Sequence, residues 1–352
     1  MRRRLGALVS TPEQRLAADL LGSLQDRLDE PGLEFAEPLV ALHGGFDTRI
    51  FSFRLRGAPP DFSRPLVLRL LAPHHDRTRA RREQAIQNAV AAQGYPAPRV
   101  LLSSTDAALL GGAWLVMERV AGETLIKAQP VNMSRVLVEW QRRLHALDAS
   151  ALLRAIQRED GSSHAVTVDG LLSQLGARVA HTAVPGLEGA MAWLTAHRPP
   201  ERHPVICHGD FHPHNILVSG GAVTGVLDWP NAVVADPEYD VAATRVILSF
   251  TPIELSALPA TLRWMARVFR RVMVTRYLAR YQRAHPLDQR ALRYYEALAC
   301  MRGLVRAAEG RLRTAAALSE LDASSYGDAL AGHFFRITGI PPALPPARRS
   351  PA

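Results

Sequence analysis

Apolar residues recur at helical spacing from the start of the chain. Leu16, Leu20, Leu21, Leu24 and Leu28 line one face behind Thr11 and Pro12, so the pattern predicts a helix over 11–28 with Thr11 as its N-cap. The period then shortens to two. A strand is predicted at 40–42, leading into His43-Gly44-Gly45-Phe46-Asp47-Thr48, followed by an alternating strand over 49–55 and a third over 65–70. A helix is predicted from 77 to 93, stopped by Gly94 with Pro96 beyond it, and short apolar runs at 100–102 and 114–117 supply two more strands. Together these predict a five-stranded antiparallel sheet with one helix. Beyond 118 the period lengthens again, with helices predicted over 131–147, 169–181, 187–197, 241–250, 262–285, 287–318 and 326–337. The fold class is therefore α+β, strand-rich in its first part and mainly helical in its second.

One segment interrupts the helices. After Pro199-Pro200 the chain reads Val205-Ile-Cys-His-Gly-Asp-Phe-His-Pro-His-Asn-Ile-Leu-Val218, then Ser219-Gly220-Gly221, then Val223-Thr-Gly-Val-Leu-Asp-Trp229. Two apolar runs around a Ser-Gly-Gly turn predict a β-hairpin. Asp210 precedes its first strand and Asp228 closes its second. Because hairpin strands are antiparallel, Asn215 and Asp228 belong at the same end, which brings two oxygen ligands toward one point. Mg²⁺ is a hard ion that takes few protein oxygens and completes its shell with water and phosphates. The spacing His208-x-Asp210-x-x-x-x-Asn215 adds a carboxylate able to accept a hydroxyl proton, so the pattern points to phosphoryl transfer.

The run His208-Gly-Asp-Phe-His-Pro-His-Asn215, with Leu227-Asp-Trp229 and Ala235-Asp-Pro-Glu-Tyr-Asp240, resembles the aminoglycoside phosphotransferase and choline kinase family, small-molecule relatives of protein kinases. The resemblance spans roughly 40–318 and is most specific over 202–240. It implies a bilobal, protein-kinase-like fold, with Asp210 as catalytic base and Asn215 and Asp228 as magnesium ligands. It also implies a cation on the third strand that binds nucleotide phosphates and a helix carboxylate that positions it. Arg69 and Glu83 fit those places. Gly44 and Gly45 correspond to a loop over the nucleotide, and the backbone of Glu118 and Val120 to the hinge that meets the adenine edge. His214 departs from the family, whose members commonly carry Gly there.

Several of these residues also fit plainer roles. His208, His212 and His214 could form a zinc cluster, although H-x₃-H-x-H lacks the partners of a recognised structural site. His208 fits better as a structural residue bonded to the loop backbone. Arg69 could be an edge-strand arginine facing solvent, and Gly44-Gly45 a plain hairpin turn. Asp236 is expected to brace the loop after Asp228, and Asp240 to cap or anchor the helix starting near 241, with contact to substrate as the other option. His145 is expected to pack at a helix end. Trp264, Tyr277, Tyr294 and Tyr295 are expected in the core.

Composition then narrows the class. A chain of 352 residues can bury a sizeable core and divide into two lobes. The expected division is a helical extension at 1–36, a nucleotide-binding lobe at 37–118, a catalytic and substrate lobe at 119–340, and a disordered tail at 341–352. Two cysteines, Cys207 and Cys300, exclude a disulfide framework and make a reducing, cytoplasmic setting the default expectation. The apolar stretch after Met1-Arg-Arg-Arg4 is too short for a secretory leader, and no run is long enough to span a membrane. From Val241 onward 17 arginines face 7 acidic residues, whereas the first 240 residues carry 25 basic and 26 acidic side chains. Lys127 is the only lysine. Many of the later arginines alternate with apolar residues at helical spacing, which solvated helix faces explain better than a nucleic-acid surface.

The expected activity is transfer of the γ-phosphoryl group of ATP or GTP, with Mg²⁺, to a hydroxyl of a small metabolite. A basic C-terminal region suits neutral or anionic acceptors better than polycationic aminoglycosides. The alternative is a catalytically silent protein that kept the fold and nucleotide binding.

Overall fold

In the computed structural model, Thr11 opens helix α1 (Pro12–Leu28) with a reciprocal capping box. Thr11 Oγ1 accepts the Gln14 N–H at 3.2 Å and Gln14 Oε1 accepts the Thr11 N–H at 2.8 Å. The structure describes residues 11–42, 48–73, 78–182, 186–251, 259–313 and 320–342. Replacing Thr11 by Ala removes one of these bonds and should cost roughly 1 kcal/mol, read as a shift in the urea midpoint.

The described chain forms two compact units. The first comprises Met1–Gly122, Ala155–Gly161 and Thr224–Pro230, and the second Glu123–Arg154, Ser162–Val223 and Asn231–Ala352. In the first, β1 (Glu34–Leu42), β2 (Thr48–Arg56), β3 (Leu66–Leu71), β4 (Val100–Ser104) and β5 (Trp114–Glu118) make one antiparallel sheet of order β1-β2-β3-β5-β4. Helix α2 (Thr78–Ala91) and the short α3 (Ala107–Leu110) complete the order. The period of two sorts β3 onto two faces. Leu66, Leu68 and Leu70 join Leu16, Leu20 and Leu24 of α1 in one core, while Leu71 joins Ala80 of α2 in another. Arg69 shares the α2 face.

The first strand is longer than the pattern predicts, starting at Glu34 rather than near Val40. Register shifts after Phe35 and Glu37 break its alternation, and Pro38 sits within it. Bulges and proline are features of edge strands, and β1 lies at the sheet edge.

The second unit starts at β6 (Glu123–Thr124) and α4 (Leu125–Ala128), then α5 (Met133–His145), α6 (Ala149–Asp160), α7 (Val168–Thr182) and α8 (Leu187–Ala196) follow. The end of α6, from Ala155, belongs to the first unit. Helix α6 has no counterpart in the sequence expectation, although Leu152 and Ile156 lie buried four residues apart. Strands β7 (Val205–Cys207) and β10 (Val233–Ala235) pair antiparallel, and β8 (Ile216–Ser219) lies between β6 and β9 (Ala222–Val226). Gly220 and Gly221 both take positive φ, 57° and 82°, as a two-residue hairpin turn requires.

Helices α9 (Pro237–Phe250), α10 (Ala260–Ala284), α11 (Gln289–Arg313) and α12 (Glu320–Thr338) complete the chain. Helix α11 packs on α7, α8, α9 and α12, and α10 on α5 and α9. Tyr277, Tyr294 and Tyr295 are buried as expected, but Trp264 is 64% exposed. The rotation of α10 explains this. Arg270 donates to the carbonyls of Ser249 and Thr251, and Tyr277 donates to Gln141 Oε1 at 2.5 Å, so the side bearing Trp264 turns outward. No helix among the described residues is long and apolar enough to cross a membrane.

Candidate active site

Arg69 lies on the central strand of its sheet, not at an edge, and its side chain is 12% exposed. A charge buried between a strand and a helix needs a partner. Glu83, projecting from α2 and fully buried, supplies it: Arg69 Nη1 donates to Glu83 Oε1. The other arm of the fork, Nη2, donates to Asp228 Oδ1 at 2.9 Å. Burial opposes the charge on Arg69, but Glu83 and Asp228 outweigh it and hold its pKa above the ordinary value. Glu83 shows the reverse balance, with burial pushing its carboxyl up against the pull of Arg69.

Asp228 takes φ 68°, in the left-handed region that few non-glycine residues adopt. Its neighbours fix it there. Trp229 is fully buried, donates Nε1 to the Val226 carbonyl at 2.8 Å and meets the Tyr95 ring edge-on at 5.9 Å. Val226 in turn donates its N–H to the Pro96 carbonyl at 2.7 Å. At the end of β5, the Glu118 N–H is committed to the Arg99 carbonyl at 3.0 Å. Val120 packs over Gly225, where a Cβ would come within 2.8 Å of Val120 Cγ1. Gly44 and Gly45 lie outside the described residues.

In the second unit, the loop between β7 and β8 carries Asp210 and Asn215. Helices grip its backbone from several sides. Asp240 Oδ1 accepts the Gly209 N–H at 2.8 Å, Arg302 Nη1 donates to the Gly209 carbonyl at 3.2 Å, and Thr244 Oγ1 donates to the Phe211 carbonyl at 2.9 Å. Gly209 has φ 72°, and a Cβ there would sit 2.3 Å from the Asn231 carbonyl oxygen, so only glycine fits. Inside the loop, the Asp210 N–H donates to His208 Nδ1 at 3.3 Å and Asn215 Nδ2 donates to the Asp210 carbonyl at 3.0 Å. With its amide nitrogen turned to the loop, Asn215 presents its oxygen the other way. His212, read in the sequence only as a possible zinc ligand, instead places Nε2 3.6 Å from Asp210 Oδ1.

Asp236 and Asp240 differ from expectation. Asp236 accepts the N–H groups of Arg202 and His203 at 2.9 and 2.7 Å, so it braces the turn before β7 rather than the loop after Asp228. Helix α9 starts at Pro237, which makes Asp236 its N-cap residue and places Asp240 inside the first turn. Asp240 is fully buried and bonds His145 Nε2 at 3.1 Å, whose Nδ1 lies 2.6 Å from the Tyr281 hydroxyl. Burial opposes the Asp240 charge, yet the bond and charge of His145, with His208 and the Gly209 N–H, hold its carboxyl below the usual range. Arg302 also donates to the Tyr239 hydroxyl at 2.7 Å, and burial pushes that phenol up to about 12.

Among the described residues, His145, Cys207 and Asp240 are close enough to hold a metal together. Each has a hydrogen-bonding role of its own, with the Cys207 thiol 3.5 Å from the Ala235 carbonyl and its pKa pushed well up by burial. The histidines of the β7–β8 loop are not that group. His208 and His212 each use Nδ1 to accept a backbone N–H.

The residue pattern matches the model of the APH phosphotransferase enzyme family over residues 38–272. The chain belongs to this phosphotransferase family. Within the chain, 213 residues are 29% identical to the aminoglycoside 3'-phosphotransferase of Streptomyces fradiae, covering 58% of this chain and 73% of that enzyme. Another 30% identity, over 189 residues and 50% of this chain, links it to acyl-CoA dehydrogenase family member 11 of Gallus gallus. The matched part spans 24% of that relative's length. Among solved structures, aminoglycoside phosphotransferase APH(4)-Ia with ADP and hygromycin B shares the fold at a TM-score of 0.53 and 18% identity, covering 91% of this chain and 98% of that one. The macrolide 2'-phosphotransferase MphH of Brachybacterium faecium does so at 0.51 and 20%, covering 88% and 98%. The chain is thus an α+β protein of kinase-like fold.

Proposed function

We propose that this phosphotransferase moves the γ-phosphoryl group of ATP or GTP to a hydroxyl of a small metabolite. Asp210 accepts the hydroxyl proton, the freed oxygen attacks the γ-phosphorus, and the bond to the β–γ bridging oxygen breaks as the nucleoside diphosphate leaves. Arg69, held by Glu83, neutralises charge on the nucleotide phosphates. Glu118 and Val120 offer backbone groups to the base. Given that the Glu118 N–H is already used, the donor falls to Val120.

Asn215 and Asp228 would hold Mg²⁺, and both are oxygen donors suited to a hard ion. The Asn215 amide is oriented by its bond to the Asp210 carbonyl, and the Asp228 side chain is 40% exposed although it bonds Arg69. Bound there, the ion would offset negative charge on the phosphates.

The observation that carries this proposal is the buried Arg69–Glu83 pair extended to Asp228. Burying that pair is costly, and a purely structural role would be served as well by apolar residues. A silent nucleotide-binding protein is the competing reading. Titration with ATP, with and without Mg²⁺, followed by thermal shift and by nucleotide turnover, separates the two. Saturable stabilisation together with turnover that needs a hydroxyl compound is the expected result. Binding with no turnover across a broad panel of alcohols, unchanged by Asp210→Ala, would support the silent reading. Aminoglycosides are disfavoured as acceptors because the chain beyond Val241 carries 17 arginines against 7 acidic residues. Hydroxylated acyl thioesters belong in the panel, because several relatives carry the name acyl-CoA dehydrogenase.

A further inference from the structure

Two arginines beside the Asp210 loop have no acidic partner among the described residues. Arg302 and Arg306 lie four residues apart on α11, hence on one face of the helix. Arg302 is half-buried, with its guanidinium 3.2 Å from the Gly209 carbonyl, the peptide that leads directly into Asp210. Arg306 is exposed. Some arginines of the same unit are answered by carboxylates, Arg178 by Glu309, Arg198 by Asp169, Arg202 by Asp288 and Arg245 by Glu296, whereas Arg270 donates only to backbone carbonyls.

Helix α12 completes the surroundings. Gly303 lets it approach closely, since a Cβ there would come within 2.4 Å of Leu330 Cδ1 and 3.6 Å of the Tyr326 hydroxyl. Tyr326 is thereby set against the face of α11 that bears the two arginines. The Tyr326 phenol is pushed up by burial, an effect that the charges of Arg306 and Arg302 oppose. Two cations and a hydroxyl donor beside a carboxylate base form a receptor for an anion that also carries the reacting alcohol.

We propose that the acceptor is an anionic hydroxylated molecule, its carboxylate or phosphate held by Arg302 and Arg306 while its hydroxyl faces Asp210. This rests on the phosphotransferase role given to Asp210. Arg302 serves two ends, fixing the loop and the Tyr239 hydroxyl through Nη1 and meeting the ligand through the remaining N–H groups of its planar fork. Arg306 is free of the loop and acts on the anion alone.

The test uses the full chain and matched sets of small hydroxylated compounds, each as the hydroxy acid, as its coenzyme A thioester and as the neutral amide. Binding is read by thermal shift and calorimetry, and transfer by label from γ-labelled ATP. Acids or thioesters should bind and amides should not, with the preferred form showing whether carboxylate or phosphate is recognised. Arg306→Gln, at an exposed position, should weaken anion binding roughly tenfold to hundredfold while leaving ATP affinity unchanged. Arg302→Lys should weaken it too, because a lysine keeps charge but loses the fork. Amides binding as well as acids, no anionic member binding, or affinity untouched by Arg306→Gln would each overturn the proposal. Anion binding lost in Arg306→Gln but with no label transferred by the parent would instead overturn the phosphotransferase role of Asp210 and leave the anion site standing.

Discussion

Asp210→Asn should lower phosphoryl transfer on the order of 10³-fold and leave nucleotide affinity within a few-fold of the original. Asn has the shape of Asp but cannot take the hydroxyl proton. The grip on the loop does not depend on the lost charge. Gly209 is bonded by Asp240 and Arg302, Phe211 by Thr244, and Asn215 reaches the Asp210 main-chain carbonyl rather than its carboxylate. The variant should therefore melt close to the parent. His212, 3.6 Å from the carboxylate, loses its neighbouring charge in the same change. Steady-state kinetics with calorimetry of nucleotide binding separates the effects: kcat should fall while the nucleotide Kd holds. A loss of nucleotide affinity as large as the loss of kcat would show that Asp210 supports nucleotide rather than chemistry.

The second large effect is on stability. Arg69→Met should cost about 3–5 kcal/mol, because it strands the fully buried Glu83 carboxylate without its cation. The loss should depend on pH in a set direction. Burial already raises the Glu83 pKa in the folded protein, and removing Arg69 removes the main force opposing that rise. A group whose folded pKa lies above its unfolded one stabilises fully below the unfolded pKa, and the contribution is lost as pH rises through the folded value. The variant's deficit should accordingly be largest at neutral and alkaline pH and narrow on acidification. Adding Glu83→Gln to Arg69→Met should recover much of the stability. A deficit that is flat with pH and unmoved by Glu83→Gln would mean that the pair contributes packing alone.

What could be read from the chain, and what could not, divides by distance along it. The loop carrying Asp210 and Asn215 is contiguous, so its residue types and spacing pointed to the chemistry. Arg69 and Glu83 are fourteen positions apart, on a strand and the next helix, and it was the family resemblance that matched them; period alone left a solvent-facing arginine open. By contrast, Arg302 is 93 residues from Gly209 and His145 is 95 from Asp240. Helix packing alone joins such pairs, and no local pattern records it. The misplacement of Asp240 has a smaller cause. Pro237 suits the first turn of a helix, so α9 began before the apolar run that marked it. Edge position hid the first half of β1, where bulges and Pro38 erase the period that identifies a strand. Trp264 was misassigned because α10 is apolar on its outward side too, with Met265, Phe269 and Val272 all exposed.

If Asp210, Asn215, Asp228 and Arg69 together perform phosphoryl transfer, the product is a phosphate monoester that carries the γ-phosphorus of the nucleotide. A label-transfer screen with γ-labelled ATP, Mg²⁺ and a library of hydroxylated metabolites, run side by side with the parent and Asp228→Ala, looks for that product. The parent should form a labelled monoester on at least one compound, and Asp228→Ala should reduce it to background. Saturating nucleotide binding with no labelled product from any compound, or a product formed equally by Asp228→Ala, would contradict this assignment.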